Sequence, residues 1–231
     1  HNRTHSFPTR RSSDLLDFAR GPALQIGLYV FAFGVAFRLA SLLLLPRLKD
    51  LSAARKGAPG AVVASGREII RRMWPQSVYA EATRFTTING YIFHLGLAII
   101  VFLGTPHILF LKGLFGVSWP GLPTNIINGV AVITFLSLIA ALVHRLQSPV
   151  LKAISTANDY ITWLVTMLPV ATGLLAISHL GWRYETLLAV HILSIAVFLI
   201  WFPFGKLMHA FLIFLSRGTT GAHLAHRGAQ L

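Results

Sequence analysis

The chain has 231 residues, of which 55% are hydrophobic and only 12% are Asp, Glu, Lys or Arg. A soluble domain carries about 25% charged residues, so this chain has too little polar surface to cover a water-soluble globule of its length. The net charge of +13 would suit nucleic acid binding, but in so apolar a chain the basic loops of a membrane protein explain it better. Cys is absent, which excludes Cys-ligated iron–sulfur clusters and covalently attached haem within these residues.

The N-terminal segment does not resemble a natural part of the protein. Residues 5–15 read HSFPTRRSSDL, which matches one reading frame of a common sequencing adapter. We therefore expect residues 1–15 to be a disordered artefact and exclude them from the fold. The alternative is an ordinary basic arm.

Five apolar segments are long enough to cross a membrane, which takes about 20 residues. They cover residues 23–45, 88–111, 122–143, 160–180 and 187–215. Ahead of the fourth segment, Thr156 and Asp159 have the spacing of a capping box, which predicts a helix start. The expected fold is an all-α integral membrane bundle of five transmembrane helices over residues 16–217, followed by a polar cytoplasmic tail over 218–231.

Orientation follows from the uneven distribution of Lys and Arg around these segments. Twelve basic residues lie on one side: Arg47, Lys49, Arg55, Lys56, Arg67, Arg71, Arg72, Arg84, Arg145, Lys152, Arg217 and Arg227. Three lie on the other: Arg20, Lys112 and Arg183. The positive-inside rule then predicts an outer N-terminus and a cytoplasmic C-terminus. We expect the basic side to face anionic lipid rather than nucleic acid.

Four histidines within the segments are the strongest functional signal, because ionisable residues inside a membrane are costly. His94 and His107 lie in the second segment, and His191 and His209 lie in the fifth. Neutral imidazoles are axial ligands for haem iron, and two of them leave an iron suited to electron transfer. Since the two segments run in opposite directions, the depths match His94 with His209 at an inner haem b and His107 with His191 at an outer one. The alternative for each is a hydrogen-bonded polar residue between helices.

The spacings support these pairs unevenly. His191 and His209 are 18 residues apart, which at about 100° per residue returns to the same face of a continuous helix. His94 and His107 are 13 apart, which leaves them about 220° out of phase. A kink at Pro106, with Gly104 nearby, is therefore expected to turn His107 towards its partner.

At these residues the chain resembles a known family. The stretch HILSIAVFLIWFPFGKLMH over 191–209 resembles the fifth helix of the respiratory nitrate reductase gamma subunits, which are five-span, di-haem b cytochromes that oxidise quinol. FHLGL over 93–97 resembles their second-helix haem motif, which carries over His94 as an inner ligand. The family's second ligand on that helix falls where this chain has Gly104. TPH over 105–107 instead resembles the gamma-like membrane subunits of sulfur-metabolism and heterodisulfide-type redox complexes.

Further ionisable residues are candidates for supporting roles. Lys206, one turn before His209, and Arg38, deep in the first segment, are candidate partners of haem propionates. Lys112, His179 and Glu185 lie at outer segment ends, where they would hydrogen-bond a quinol or accept its proton. For each of these residues, an interfacial or structural role is the alternative.

The expected function is that of a di-haem cytochrome b subunit of a respiratory redox complex. Quinol would be oxidised near the outer haem, and electrons would pass through the inner haem to cytoplasmic iron–sulfur and catalytic subunits. The chain itself would hold no terminal catalytic centre, and reverse flow that reduces quinone fits equally well. Two alternatives are another membrane cytochrome b, such as a formate dehydrogenase or hydrogenase gamma subunit, and a haem-free transporter whose histidines line a proton path.

Overall fold

A computed structural model describes residues 7–46, 50–178 and 181–229, and over these ranges the chain is helical without strands. The helices are α1 Phe7–Phe18, α2 Leu24–Leu43, α3 Ala61–Arg71, α4 Arg84–Leu103, α5 Thr105–Phe115, α6 Thr124–Gln147, α7 Pro149–Ile154, α8 Ala157–Ser178, α9 Tyr184–Trp201 and α10 His209–Arg227. A short π-helix, Ala19–Ala23, joins α1 to α2, and 3-10 turns cover Ser77–Tyr79 and Lys206–Met208.

Five helical stretches in the described part of the chain are long and apolar enough to cross a membrane. They are Ser13–Leu43, Arg84–Leu103, Thr124–Gln147, Ala157–Ser178 and Tyr184–Trp201. The prediction of an all-α chain with five such segments is therefore confirmed.

The first of these stretches begins earlier than the sequence predicted. Helix α1 starts at Phe7, so part of the segment that was expected to be disordered is helical. Its end is also packed, because Leu16 and Ala19 are buried against Ala189 of α9. Apolar contact with α9 therefore stabilises the helix at the C-terminal end of α1.

Two of the predicted segments are not continuous helices. The second, 88–111, divides at Gly104 into α4 and α5. The fifth, 187–215, divides into α9 and α10, because Pro203 has no N–H to donate and Gly205 adopts an extended backbone. His191 and His209 therefore lie on different helices, and the expectation that they share one face of a continuous helix is wrong. Helix α10 continues to Arg227, so much of the segment predicted as a polar cytoplasmic tail is helical.

The chain divides into two compact units, of which the first comprises the described residues of 1–31 and 85–201. In this unit Leu138, Met167 and Val170 form a buried apolar cluster between α6 and α8. Asn89 Nδ2 donates to the Ser137 carbonyl at 3.0 Å, and Ser137 Oγ donates to Asn89 Oδ1 at 2.7 Å. Apolar helices gain little from mutual contact in lipid, so neutral polar pairs of this kind are an important source of their association.

Helix α8 begins as its sequence predicted. Asp159 Oδ2 accepts hydrogen bonds from the Thr156 backbone N–H at 2.9 Å and from Thr156 Oγ1 at 3.0 Å. The other carboxylate oxygen of Asp159 lies 3.3 Å from Arg145 of α6. The predicted helix start at this cap is confirmed, and an ion pair ties the cap to the preceding span.

The second unit comprises the described residues of 32–84 and 202–231. Helix α3 packs along α10, where Ser65 Oγ donates to the Gly218 carbonyl at 2.8 Å. Gly221 approaches Ala64 and Glu68 so closely that a Cβ there would clash with both. Arg71 donates hydrogen bonds to Glu68, as does Arg72, and these bonds lower the pKa of Glu68 from 4.5 to about 2. Part of the basic segment between the first two predicted spans is thus a helix stabilised by ion pairs.

Candidate functional site

The structure brings together His107 and His191, which the sequence predicted as the outer pair. His107 lies in the first turn of α5, and His191 lies in α9. Their ring centres are 6.2 Å apart, and the ring planes are inclined by 56°. Both residues belong to the first unit, so this pair is formed within one compact body.

The helix break at Gly104 positions His107. The Ile100 carbonyl at the end of α4 accepts a hydrogen bond from the Gly104 N–H at 3.2 Å and another from His107 Nδ1 at 2.8 Å. A Cβ on Gly104 would lie 2.6 Å from the Ile100 oxygen and 3.1 Å from His107 Nδ1. Glycine is therefore required here because the imidazole and the carbonyl leave no room for a side chain.

The backbone carbonyls that lose their helical hydrogen bonds at this break accept hydrogen bonds from other groups. Trp119 Nε1 donates to the Phe102 carbonyl, and the Leu122 N–H donates to the Leu103 carbonyl at 2.9 Å. An interrupted helix is tolerated in an apolar setting only where its backbone groups are satisfied in this way. The loop between α5 and α6 thus stabilises the break that positions His107.

A buried hydroxyl holds His191 from α8. Thr172 Oγ1 lies 3.2 Å from His191 Nδ1 and donates its own proton to the Leu168 carbonyl at 2.7 Å. Ser194 Oγ, 3.0 Å from Thr172 Oγ1, donates to the His191 carbonyl at 2.7 Å. Because the Thr172 proton is engaged elsewhere, its oxygen accepts the hydrogen bond from His191 Nδ1.

All four predicted ligand histidines use Nδ1 in this way. Their partners are the Gly90 carbonyl for His94, the Ile100 carbonyl for His107, Thr172 Oγ1 for His191 and the Lys206 carbonyl for His209. A carbonyl only accepts, so the Nδ1 atoms of His94, His107 and His209 are the donors in these three hydrogen bonds. Metal-binding histidines have this arrangement, in which an acceptor on the second nitrogen fixes the tautomer and the ring.

The spacing of the outer pair fits one metal ion between two rings. A metal–imidazole bond is about 2.0–2.1 Å long, so two imidazoles on one metal ion have ring centres about 6 Å apart when their Nε2 atoms face each other. The ring centres of His107 and His191 are 6.2 Å apart, which meets this distance condition. Within the described ranges, no three His, Cys, Asp or Glu side chains are grouped to hold a metal ion by themselves.

The predicted inner ligands belong to different units. His94, on α4 in the first unit, stacks on Phe93 with ring centres 4.3 Å apart. His209 is the first residue of α10 in the second unit. Both side chains are exposed, and each ring is oriented by a carbonyl of its own chain segment, at 2.7 Å in both cases.

The candidate propionate partners are both in the second unit. Arg38 is exposed on α2, and Lys206 is exposed in the 3-10 turn that precedes His209. The carbonyl of Lys206 is the acceptor that orients His209. The roles of both side chains towards haem stay predictions.

The candidate quinol residues are not gathered into one site by the described contacts. Lys112 is exposed on α5, and Glu185, in the first turn of α9, lies 3.5 Å from Arg183. His179 lies outside the described residues.

The second unit has a groove of about 740 Å³. It is lined by Leu42, Asp50, Leu212, Leu215, Ser216, Thr219, Ala222, His223 and His226.

Sequence reasoning missed Thr172 and Ser194, which hold His191. Ser194 follows His191 by three residues, so it was recognisable as a neighbour on the same helix face. Thr172 is 19 residues away on another helix, and only helix packing reveals its contact with His191. Gly173 beside it also escaped notice, although a Cβ there would lie 3.1 Å from His191 Cε1.

Among known proteins, a protein of Nitratidesulfovibrio vulgaris (strain Hildenborough) is similar to this chain over 214 residues at 29% identity. The match covers 90% of this chain and 92% of the relative, whose name, "Protein", states no activity. No protein-family model matches the chain, and no solved structure matches it.

Proposed function

We propose that this chain is the membrane-embedded di-haem cytochrome b subunit of a respiratory redox complex that exchanges electrons with the quinol pool. The observation that carries the proposal is the outer pair, His107 and His191. Its ring centres are 6.2 Å apart, and each Nδ1 atom lies within hydrogen-bond distance of an oxygen, the Ile100 carbonyl for His107 and Thr172 Oγ1 for His191. His107 and His191 would together hold one haem iron.

The residues that would hold the two haems are His107 with His191 and His94 with His209. A haem held by two histidines would supply reversible one-electron transfer. The acceptors on Nδ1 orient the rings and raise their basicity as ligands. Arg38 and Lys206 would pair with propionates.

The proposed setting follows from charge and composition. The basic side faces the cytoplasm of a bacterial cell, and the outer pair lies towards the opposite side. Quinol would lose its two electrons and two protons there, with Lys112, His179 and Glu185 as the candidate hydrogen-bonding and proton-accepting groups that the sequence offers. Iron–sulfur and catalytic subunits on the cytoplasmic side would receive the electrons, since these 231 residues contain no Cys to hold a cluster.

The test is the absorption spectrum and haem content of the purified, dithionite-reduced protein. We expect a b-type α-band and two haems per chain. His209→Ala should remove the inner haem and keep the outer one. His144→Ala is the matched control, because His144 is an α6 histidine that contacts Phe85, with ring centres 4.5 Å apart and planes tilted by 49°, and has no proposed ligand role. A protein without haem absorbance would support a haem-free transporter, and loss of both haems or of neither in His209→Ala would contradict the pairing.

A further inference from the structure

Helix α3 has two faces of different character. Ala64 and Glu68 are buried on the face that packs against Gly221 of α10. On the opposite side, Val62 and Ile70 are 86% and 67% exposed. Positions 62, 66 and 70 follow one another at i, i+4, and Gly66 between the two apolar residues adds no side chain. Val62 and Ile70 therefore form an apolar stripe that stays exposed in the described part of the chain.

The apolar surface continues beyond the helix and includes aromatic rings. Trp74 and Tyr79 follow α3 and are 71% and 59% exposed. Trp and Tyr are enriched where a membrane meets water, since one end of each side chain is apolar and the other is polar. These side chains are better suited to the boundary between lipid headgroups and acyl chains than to bulk water.

The charges around the stripe are mainly positive. Residues 50–84 contain six Lys and Arg and three Asp and Glu, which gives a net charge of +3. Arg67 is exposed on α3, whereas Arg71 and Arg72 are half-buried beside Glu68. An apolar stripe with exposed basic residues is the pattern of a helix that lies on anionic lipid.

We infer that α3 lies in the plane of the cytoplasmic lipid surface, with its Val62–Ile70 stripe at the boundary of an anionic phospholipid bilayer. The inference rests on the membrane setting of the proposed function. The chain continues from α3 into two of the candidate spans, one ending at Leu43 and the other beginning at Arg84. These tethers keep α3 close to the lipid at all times, which favours lipid over a diffusing protein partner.

The absence of Cys from the sequence allows a direct test in the full chain, because single cysteines can be spin-labelled without background. The variant is Ile70→Cys. Its matched control is Ala54→Cys, at an exposed position in the loop before α3, and Leu164→Cys on α8 reports insertion of a span. Each protein is reconstituted in vesicles of phosphatidylcholine, with or without phosphatidylglycerol. Relaxation by oxygen, which partitions into lipid, is compared with relaxation by a water-soluble nickel complex.

We expect the label at 164 to be in lipid, the label at 54 in water, and the label at 70 at the interface, more deeply with phosphatidylglycerol. In vesicles with phosphatidylglycerol, adding Arg67→Gln to Ile70→Cys should lower the ratio of lipid-bound to water-exposed label at position 70 by about fivefold. This is the effect expected from the loss of one basic residue near an anionic surface. A label at 70 as accessible to nickel as that at 54, with 164 still in lipid, overturns the inference but leaves the membrane setting intact. A water-exposed label at 164 overturns the membrane setting itself.

The competing occupant is a partner subunit of the redox complex. If the label at 70 is in water in vesicles and becomes shielded only in the purified native complex, the stripe is a protein-docking surface and the lipid inference is wrong. The haem content of the same samples is recorded separately, so that a failure of the cytochrome proposal is not confused with a failure of the lipid contact.

Discussion

The two breaks in the predicted spans have opposite consequences for the histidines that follow them. The break at Gly104 is one residue long, and both helices that flank it belong to the first unit, where His107 meets His191. The break after Trp201 is seven residues long, and the helix after it begins with His209 in the second unit. The short break, whose carbonyls are hydrogen-bonded, keeps the histidine that follows it in the same unit, whereas after the longer break, which contains the buried Pro203, the next histidine belongs to the other unit.

The polar contacts around the outer pair differ from those of the second unit. In the first unit, the groups that hold the outer pair are neutral: the Ile100 carbonyl and the Thr172 and Ser194 hydroxyls. In the second unit, Glu68 binds Arg71 and Arg72, and Asp50 lies 3.0 Å from Arg227. Neutral groups suit an apolar setting, because charged groups there are costly. The first unit also has an ion pair, Arg145 with Asp159, but this pair lies at the cap of α8 and does not hold the histidines.

The largest expected effect is the loss of the outer haem in His191→Ala. Removing one axial imidazole leaves His107 as a single ligand, and haem content should fall from two per chain to one. Together with His209→Ala, this variant tests whether the two breaks serve two separate haem sites. Quantification of haem b in the purified variants is the measurement, and unchanged content in His191→Ala would remove the basis of the outer site.

A smaller loss is expected from Thr172→Val, which removes the acceptor for His191 Nδ1 and leaves the ligand itself. Loss of such a supporting group typically weakens metal binding by about 10–100-fold. Haem retention in a competition assay measures this effect. Thr172→Ser should restore binding. Thr166→Val is the matched control, because Thr166 lies on the same helix and donates only to the Thr162 carbonyl. Equal behaviour of the two valine variants would show that Thr172 does not position His191.

Gly104→Ala should displace His107 without removing it. The new Cβ would press on the Ile100 carbonyl at 2.6 Å, and overpacking of this kind costs about 1–3 kcal/mol. We expect a lower melting temperature and an altered outer-haem spectrum. Gly113→Ala is the control, since Gly113 is on α5 and a Cβ there meets nothing within 4 Å. If both variants retain a native spectrum, the break does not depend on close packing at Gly104.

The smallest effect concerns the second unit and its dependence on pH. Hydrogen bonds from Arg71 and Arg72 lower the pKa of Glu68 from 4.5 to about 2. The stabilisation is therefore complete above pH 4.5 and is lost as the pH falls towards 2. Glu68→Gln should reduce protection of α3 and α10 by about 1 kcal/mol at neutral pH and remove this dependence on pH.

Hydrogen exchange, corrected for intrinsic rates at pH 7 and pH 3, measures this change. Glu81→Gln is the control, because Glu81 is exposed. An equal pH dependence in the wild type and in Glu68→Gln would show that the ion pairs do not stabilise the α3–α10 contact. Haem content should not change in either variant, since Glu68 lies outside the proposed ligand sites.

Local sequence patterns predicted the features that depend on nearby residues. The apolar segments predicted five helices long enough to span a membrane, and Thr156 with Asp159 predicted the start of α8. The spacing of His191 and His209 failed because it assumed a continuous helix, although Pro203 and Gly205 were visible in the sequence. Internal Pro and Gly are tolerated in apolar helices, so their presence does not reveal whether the helix bends or ends.

The sequence by itself determined that the chain forms long apolar helices, because the scarcity of charge and the length of the apolar runs leave few other ways to satisfy the backbone. It also identified four histidines as unusual groups within these apolar segments. Only the tertiary structure decided which oxygen lies beside each imidazole Nδ1 and which two rings meet within one unit. These properties depend on the Ile100 carbonyl and the Thr172 hydroxyl, whose directions are set by helix packing and by the break at Gly104.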